Sequence, residues 1–551
     1  MSKKINSCMM VFCCLFFSLI AEKEEKKVAD KSSDVGTILK YSGLRLNTSG
    51  ADAICFVIDK SPSMDDDIKE IEKNLDQMLG KIDMTLKPVT IVTYSGSAEV
   101  VLENCKDISL VKQALKGIKS KGASEEKLFA AINLGFTTLK KSESPLFVVV
   151  TDETGDDAEE SLEKTLKTLS RKKSRIHVLT TPASFGNDEW FWSIFNNKQT
   201  NQKTVHYKST NGPASGTQEI LFDFFFVQRA YFTKGVLPYN WKRWAVNAGW
   251  APYNLALIAK ETKGKVYQIE TDTYLLKSDN FDLKKMKLYQ PELLKKSDLS
   301  RSIKKDIRRK VVHESLEKYY KSRMEMIRSC NFRDPNLPDG EKKKLTLEFL
   351  ESNSKAVDGN MKLIERMIKN FESTMALYEK NKAKNYVKDD SSPSLRWQAN
   401  IELNYGLAYV AYYEMLQYKK FVKDTKEGRF KFLGGFSENP EKLFHVPIQR
   451  ILVVEIFMLP KPISEDKKYA IENGDNMDLF SIAKQCRGKN SLSRLTVEEV
   501  GQIAVKILKM IEKNHANTPW AALAEKTKNS LGDYAFLSYV AGRSSNTSGK
   551  Q

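Results

Sequence analysis

The segment AICFVIDKSPSM, from Ala53 to Met64, limits what this chain can fold into more than any other. An apolar run, Ala53 to Ile58, ends at Asp59, and Ser61 and Ser63 follow at alternate positions. Apolar and β-branched residues in an unbroken run read as a strand buried on both faces of a parallel sheet. The helix-periodic stretch DDDIKEIEKNLDQML comes next. The D-x-S-x-S therefore falls on the loop at the strand's carboxyl end, the edge where open α/β sheets bind ligands. One carboxylate and two hydroxyls converging on a point make an oxygen-only site for a hard cation. Mg²⁺ or Mn²⁺ suits such a set, with Ca²⁺ as a further option.

A chain of 551 residues is too long for one core, so two or three domains are expected. The formal net charge of +18 favours acidic partners such as nucleic acid, anionic lipid or wall polyanions. The competing explanation is a set of solvated, lysine-rich helix faces. Lys3 and Lys4 precede an apolar stretch, Cys8 to Ala21, in which only Ser18 is polar. That stretch is short for a membrane span and suits a signal peptide or an N-terminal anchor that would tether the chain to a membrane. Ala21 is a candidate last signal residue, although Leu19 is not small. The expected location is exported: periplasm, cell envelope or secreted, with membrane anchoring if the segment is retained. Cys55, Cys105, Cys330 and Cys486 lie far apart and lack metal-ligand spacing.

Residues 22–49 read as a polar linker and 50–275 as alternating strands and helices. Expected strands are AICFVID, VTIVTYSG, AEVVLEN, PLFVVVTDE, RIHVLTT and an edge strand after Gly264. They form a doubly wound, Rossmann-like α/β sheet. An insertion at 183–248 is dense in aromatics, including Trp190, Phe191, Trp192, Phe195, Trp241 and Trp244, with Trp250 just beyond. It is either a recognition rim or a satellite core. From about 280 to 540 a mainly α-helical domain is expected, with helices at 299–329, 341–385, 396–424, 477–486, 496–514 and 519–530. LVVEIFML (452–459) is the one late β-like run, and 541–551 reads as a disordered tail.

A cation site at this sheet edge needs more than one loop. FVVVTDETGDD puts Asp152 at the end of the fourth strand, and KGASEEKLFAAI lies before a helix between the two. Together these pieces resemble the metal-ion-dependent adhesion site of the von Willebrand factor A family. The resemblance implies Asp59, Ser61, Ser63 and Asp152 as ligands, the serines directly and the aspartates partly through water. It also implies a threonine on the second loop, where this chain has none; Glu126 or Ser124 takes that position. An unidentified protein ligand would then complete the coordination through an acidic side chain. A glutamate at 126 would strengthen cation binding, or fill the position of that incoming carboxylate. The segments TDETGDDAEESLEKTLKTLSRKKSRIHVLTTPASFG, GWAPYNLALIAKETKGKVY, RWQANIELNYGLAYVAYYEMLQY and HANTPWAALAE are similar to a subgroup of bacterial von Willebrand A proteins. That subgroup, notably from planctomycetes, carries a helical C-terminal region.

No H-E-x-x-H, G-x-x-x-x-G-K-[ST], G-x-S-x-G or G-x-G-x-x-G is present. Asp152 and Glu153 as an acid–base pair are better explained by a cation, so no enzyme is expected. RSIKKDIRRK (301–310) is basic enough to suggest a polyanion surface, as in the Ro family, which also joins helices to an A domain. An export signal and an A domain placed first argue against nucleic acid. The expected function is cation-dependent protein binding, adhesive or scaffolding, in the cell envelope. A structural envelope protein with a purely stabilising metal is the alternative.

Overall fold

The computed structural model describes residues 38–80, 87–122, 125–185, 190–195, 206–209, 221–222, 228–229, 246–269, 281–324, 326, 329–332, 344, 347–348, 350–383, 392–427, 432–433, 449–460, 463, 479–488 and 491–543. The first sheet has seven strands. They are β1 (Ile38–Leu39), β2 (Ala53–Asp59), β3 (Val89–Tyr94), β4 (Ala98–Cys105), β5 (Pro145–Val150), β6 (Arg175–Thr180) and β7 (Val266–Ile269). Their order is β1-β7-β6-β5-β2-β3-β4, and only the β3–β4 hairpin is antiparallel. The helices around it are α1 (Asp65–Leu79), α2 (Ile108–Lys116), α3 (Leu128–Thr138), α4 (Ala158–Ser170) and α5 (Tyr253–Glu261).

Side chains alternate between the two faces of a strand, so a strand covered on both sides must be apolar throughout. In β2, Ile54, Phe56 and Ile58 join one core with Ile68, Ile71 and Leu75 of α1. Ala53, Cys55 and Val57 join the other, with Phe129 and Ile132 of α3 and Leu255 and Ile258 of α5. Six strands fall where the sequence places them, and the seventh corrects the expected linker. Ile38 and Leu39 pair with Gln268 and Ile269, so β7 is not the edge strand. Tyr41, Leu44 and Leu46 are buried beside it. Spaced singly among polar residues, these apolar side chains carried no periodic signal.

His177 lies in β6 as a core residue. Its Nδ1 accepts from Lys265 N–H at 3.0 Å, and Nε2 lies 3.0 Å from the Asn47 carbonyl, which requires the neutral Nε2–H tautomer. Burial lowers its pKa to about 4. Because the folded value lies below the unfolded one, this stabilisation is complete above the unfolded value of about 6.5 and lost as pH falls toward 4. Urea unfolding is expected to show a loss of roughly 3 kcal/mol from this group over that window. His177→Gln should lack that part of the pH dependence; an unchanged profile in the variant would contradict the assignment.

A largely helical region follows, built on α6 (Lys296–Lys305), α7 (Ile307–Ser322), α8 (Ser354–Ala383), α9 (Ser392–Lys426), α10 (Val497–Asn514) and α11 (Pro519–Asn529). The helix expected at 299–329 is two helices, because Asp306 caps α7 by accepting from Arg308 N–H at 2.9 Å. This break also changes the polyanion reading of RSIKKDIRRK. Arg308 and Arg309 are each 4% exposed. Arg308 pairs with Asp306 and stacks on Tyr378, while Arg309 pairs with Glu292 and stacks on Trp397. Paired, stacked guanidinium groups in a core are not offered to a phosphate backbone.

The ends of the aromatic insertion pack into the helical core. Phe185, Leu221, Phe222 and Trp250 share one buried cluster with α9, α10 and α11. Trp520 of α11 meets Phe185 at 4.9 Å and Trp250 at 6.2 Å between ring centroids. For these residues the core reading holds. The side chains of Trp190, Phe191, Trp192, Phe195, Trp241 and Trp244 lie outside the described set. The strands within the insertion also answer to distant segments. Trp190–Phe195 pairs with His206–Ser209 and with Ser329–Phe332, and the latter pairs with Gln449–Pro460. Gln449–Pro460 runs antiparallel to Gly532–Arg543. The late β-like run is thus longer than expected, and its partner strand reaches into the stretch read as a tail. Among the described residues no helix is long and apolar enough to cross a membrane; residues 1–37, with the leader, lie outside them.

Candidate metal centre

The strand order changes side at β2, with β5 on one flank and β3 on the other. A crevice at the carboxyl ends of the strands belongs at such a switch point. Asp59, the last residue of β2, is fully buried. Its Oδ1 accepts from Ser61 N–H at 2.7 Å, which folds the loop back over the strand end. Ser61 Oγ and Ser63 Oγ are then 2.9 Å apart, so both hydroxyls lie on one side of the turn. Thr151 Oγ1, at the end of β5, lies 3.2 Å from Asp59 Oδ2 and accepts from Glu153 N–H at 3.0 Å. Lys60 turns away to an ion pair with Glu99 on β4.

The TDETGDD segment (151–157) ties the third loop to the second. Asp156 Oδ2 accepts from Glu126 N–H at 2.7 Å, and Asp156 N–H donates to the Glu126 carbonyl at 2.7 Å. Asp157 accepts from Phe129 and Ala130 N–H at 3.1 and 2.8 Å, satisfying the first turn of α3 from another element. Gly155 has φ +77°, and a Cβ there would lie 2.6 Å from Leu128 Cβ. The glycine lets the two loops touch, and the aspartates on either side of α3's start hold them there.

Locking the loops brings four carboxyl groups together: Asp59, Glu126, Asp152 and Glu153. Burial first, then the Asp152 charge, pushes Asp59 up to about 6. Burial, then Asp59, pushes Glu126 up to about 9; burial, then Asp152, pushes Glu153 up to about 7. Like charges this close cannot all ionise without a counter-charge among them, and either a proton or a cation can serve. The donors fit a cation on a further count: Glu126 is only 9% exposed, and among the described residues its buried Oε2 meets no N–H or O–H donor. Among the described residues, no three His, Cys, Asp or Glu side chains already stand as a ready ligand set. The set here mixes carboxylates with hydroxyls, as expected of a site that completes itself with water.

Of the candidate ligands, Asp59, Ser61 and Ser63 share one loop, and electrostatics couple Asp59 to Asp152 and Glu126. Ser124 lies outside the described residues. Glu153, Asp156 and Asp157 were not expected at the site in these roles. In the sequence Glu153 stood out only beside Asp152 as an acid–base pair, and Asp156 and Asp157 only as part of the TDETGDD segment.

Residues 53–211 match the family model of the von Willebrand factor type A domain. No curated protein matches the chain. Among solved structures, BatB from Bacteroides thetaiotaomicron, described as a conserved hypothetical protein, is 14% identical with a TM-score of 0.24. The match covers 40% of this chain and 91% of BatB. An aerotolerance-related membrane protein from Bacteroides fragilis is 16% identical with a TM-score of 0.23, covering 40% of this chain and 92% of its own. The match to the A domain model ends within the aromatic insertion, whereas the α/β sheet continues through β7.

Proposed function

We propose that this protein is a divalent-cation-dependent protein-binding module of the cell envelope, acting through its A domain. Domains of this type are in general non-catalytic interaction modules. The observation that carries the reading is the convergence of Asp59, Ser61, Ser63, Asp152 and Glu126 at one sheet edge, where carboxyl groups this close call for a counter-charge and two hydroxyls stand beside them. Those residues would hold the ion; Mg²⁺, Mn²⁺ and Ca²⁺ are the candidates. The ion would supply a fixed positive charge at the sheet edge, next to which a protein partner docks. The leader-like segment at 8–21 supports export, with or without retention as an anchor.

Thermal unfolding of the full chain with each ion, against Asp59→Ala, tests this. An ion at a hundred times its Kd should add roughly 2.7 kcal/mol to the wild type. Asp59→Ala should remove that gain. Equal behaviour of the two proteins with every ion would refute the site.

A further inference from the structure

Glu126 is built into the site more rigidly than a passing neighbour would be. Asp156 clamps both its N–H and its carbonyl, and Lys127 N–H, the next peptide, donates to the Ser95 carbonyl at 3.0 Å. The backbone cannot carry the side chain out of the cluster without breaking all three bonds. The carboxyl feels the charges of Asp59, Glu153 and Asp152, and its Oε2 is buried with no donor among the described residues. The lysines next to Asp59 and Glu126 in the chain are engaged elsewhere: Lys60 pairs with Glu99, and Lys127 with Glu125.

We propose that Glu126 is an internal ligand that closes the cation site to an external carboxylate, so that a protein partner binds the surface around the ion without placing its own acidic group on it. This rests on the cation-binding reading above. The argument is charge and space. With Asp59, Asp152, Glu126 and Glu153 present, a divalent ion is already more than neutralised by the chain's own carboxylates. A further carboxylate would enter against net negative charge and would have to displace a side chain whose backbone is fixed.

The test uses the full chain, Glu126→Thr and the near-isosteric Glu126→Gln, with Mn²⁺ titrated calorimetrically and glutarate as the probe carboxylate. The wild type is expected to bind Mn²⁺ about tenfold or more tightly than either variant, because ligand charge sets affinity in such sites. It should show no Mn²⁺-dependent glutarate binding, whereas Glu126→Thr should bind glutarate only when Mn²⁺ is present. Mn²⁺-dependent glutarate binding by the wild type would overturn the proposal. So would unchanged Mn²⁺ affinity in Glu126→Gln, which keeps the side chain's volume should the threonine variant fold poorly. A wild type that binds no Mn²⁺ at all would instead remove the cation reading on which this rests.

Discussion

Gly264→Ala is expected to cost at least about 3 kcal/mol in urea unfolding. A Cβ at this position would lie 1.7 Å from the Ile176 carbonyl oxygen and 2.5 Å from its carbon. Those are backbone atoms of β6, not the end of a side chain that can swing aside. The turn is fixed from the other direction too, since Gly264 N–H donates to the Ala259 carbonyl at 2.8 Å. Lys263 before it has φ +56°, a conformation already at a cost for a residue with a side chain. Moving β6 to make room would disturb its ladders with β5 and β7 together. Gly43→Ala is the control: a Cβ there meets nothing within 4 Å, and the change should stay within about 0.5 kcal/mol. Equal costs at the two glycines would contradict the packing of β7 against β6.

Trp520→Ala should cost about 3–5 kcal/mol, the range for removing a fully buried indole. Trp520 is 0% exposed and lies where the insertion, the helices and residues just beyond the α/β unit meet. Its ring is 5.4 Å from that of Tyr289, and the guanidinium of Arg396 lies 5.1 Å from its centroid. Arg396 also stacks on Trp250 at 4.7 Å and donates to the Tyr289 carbonyl at 2.6 Å. Tyr289 Oη is in turn 2.9 Å from His515 Nδ1, and His515 Nε2 is 3.0 Å from Glu402. The loss should therefore exceed that of an isolated core residue, and hydrogen exchange should quicken at 246–251 as well as in α11. Protection unchanged at 246–251 would show that the insertion's end does not depend on this contact.

Legibility in the sequence followed locality. β2 and β5 were plain because strands covered on both faces need unbroken apolar runs, and α1 was plain because Ile68, Ile71 and Leu75 recur at helical spacing. Asp59, Ser61 and Ser63 were legible for the same reason: a strand end fixes a loop, and three donors within five residues are positioned by that loop alone. What could not be read depends on partners far along the chain. Ile38–Leu39 is a strand only because β7 lies beside it. Gly532–Arg543 pairs with a strand that ends more than seventy residues earlier, at Pro460, and its own mixture of small, polar and aromatic residues has no clear period. Arg308 and Arg309 looked like a surface charge run until Glu292, Tyr378 and Trp397 were placed against them. Glu153, Asp156 and Asp157 gain their roles from contact between two loops, and the residue types alone did not separate those that clamp from those that would bind an ion.

The most direct measurement of the central claim is anomalous scattering from crystals of the full chain grown with Mn²⁺. A peak among Asp59, Ser61, Ser63, Asp152 and Glu126, absent in Asp59→Ala crystals, is the predicted result. A wild-type map with no peak at that sheet edge, at a Mn²⁺ concentration that saturates any binding seen in solution, would contradict it.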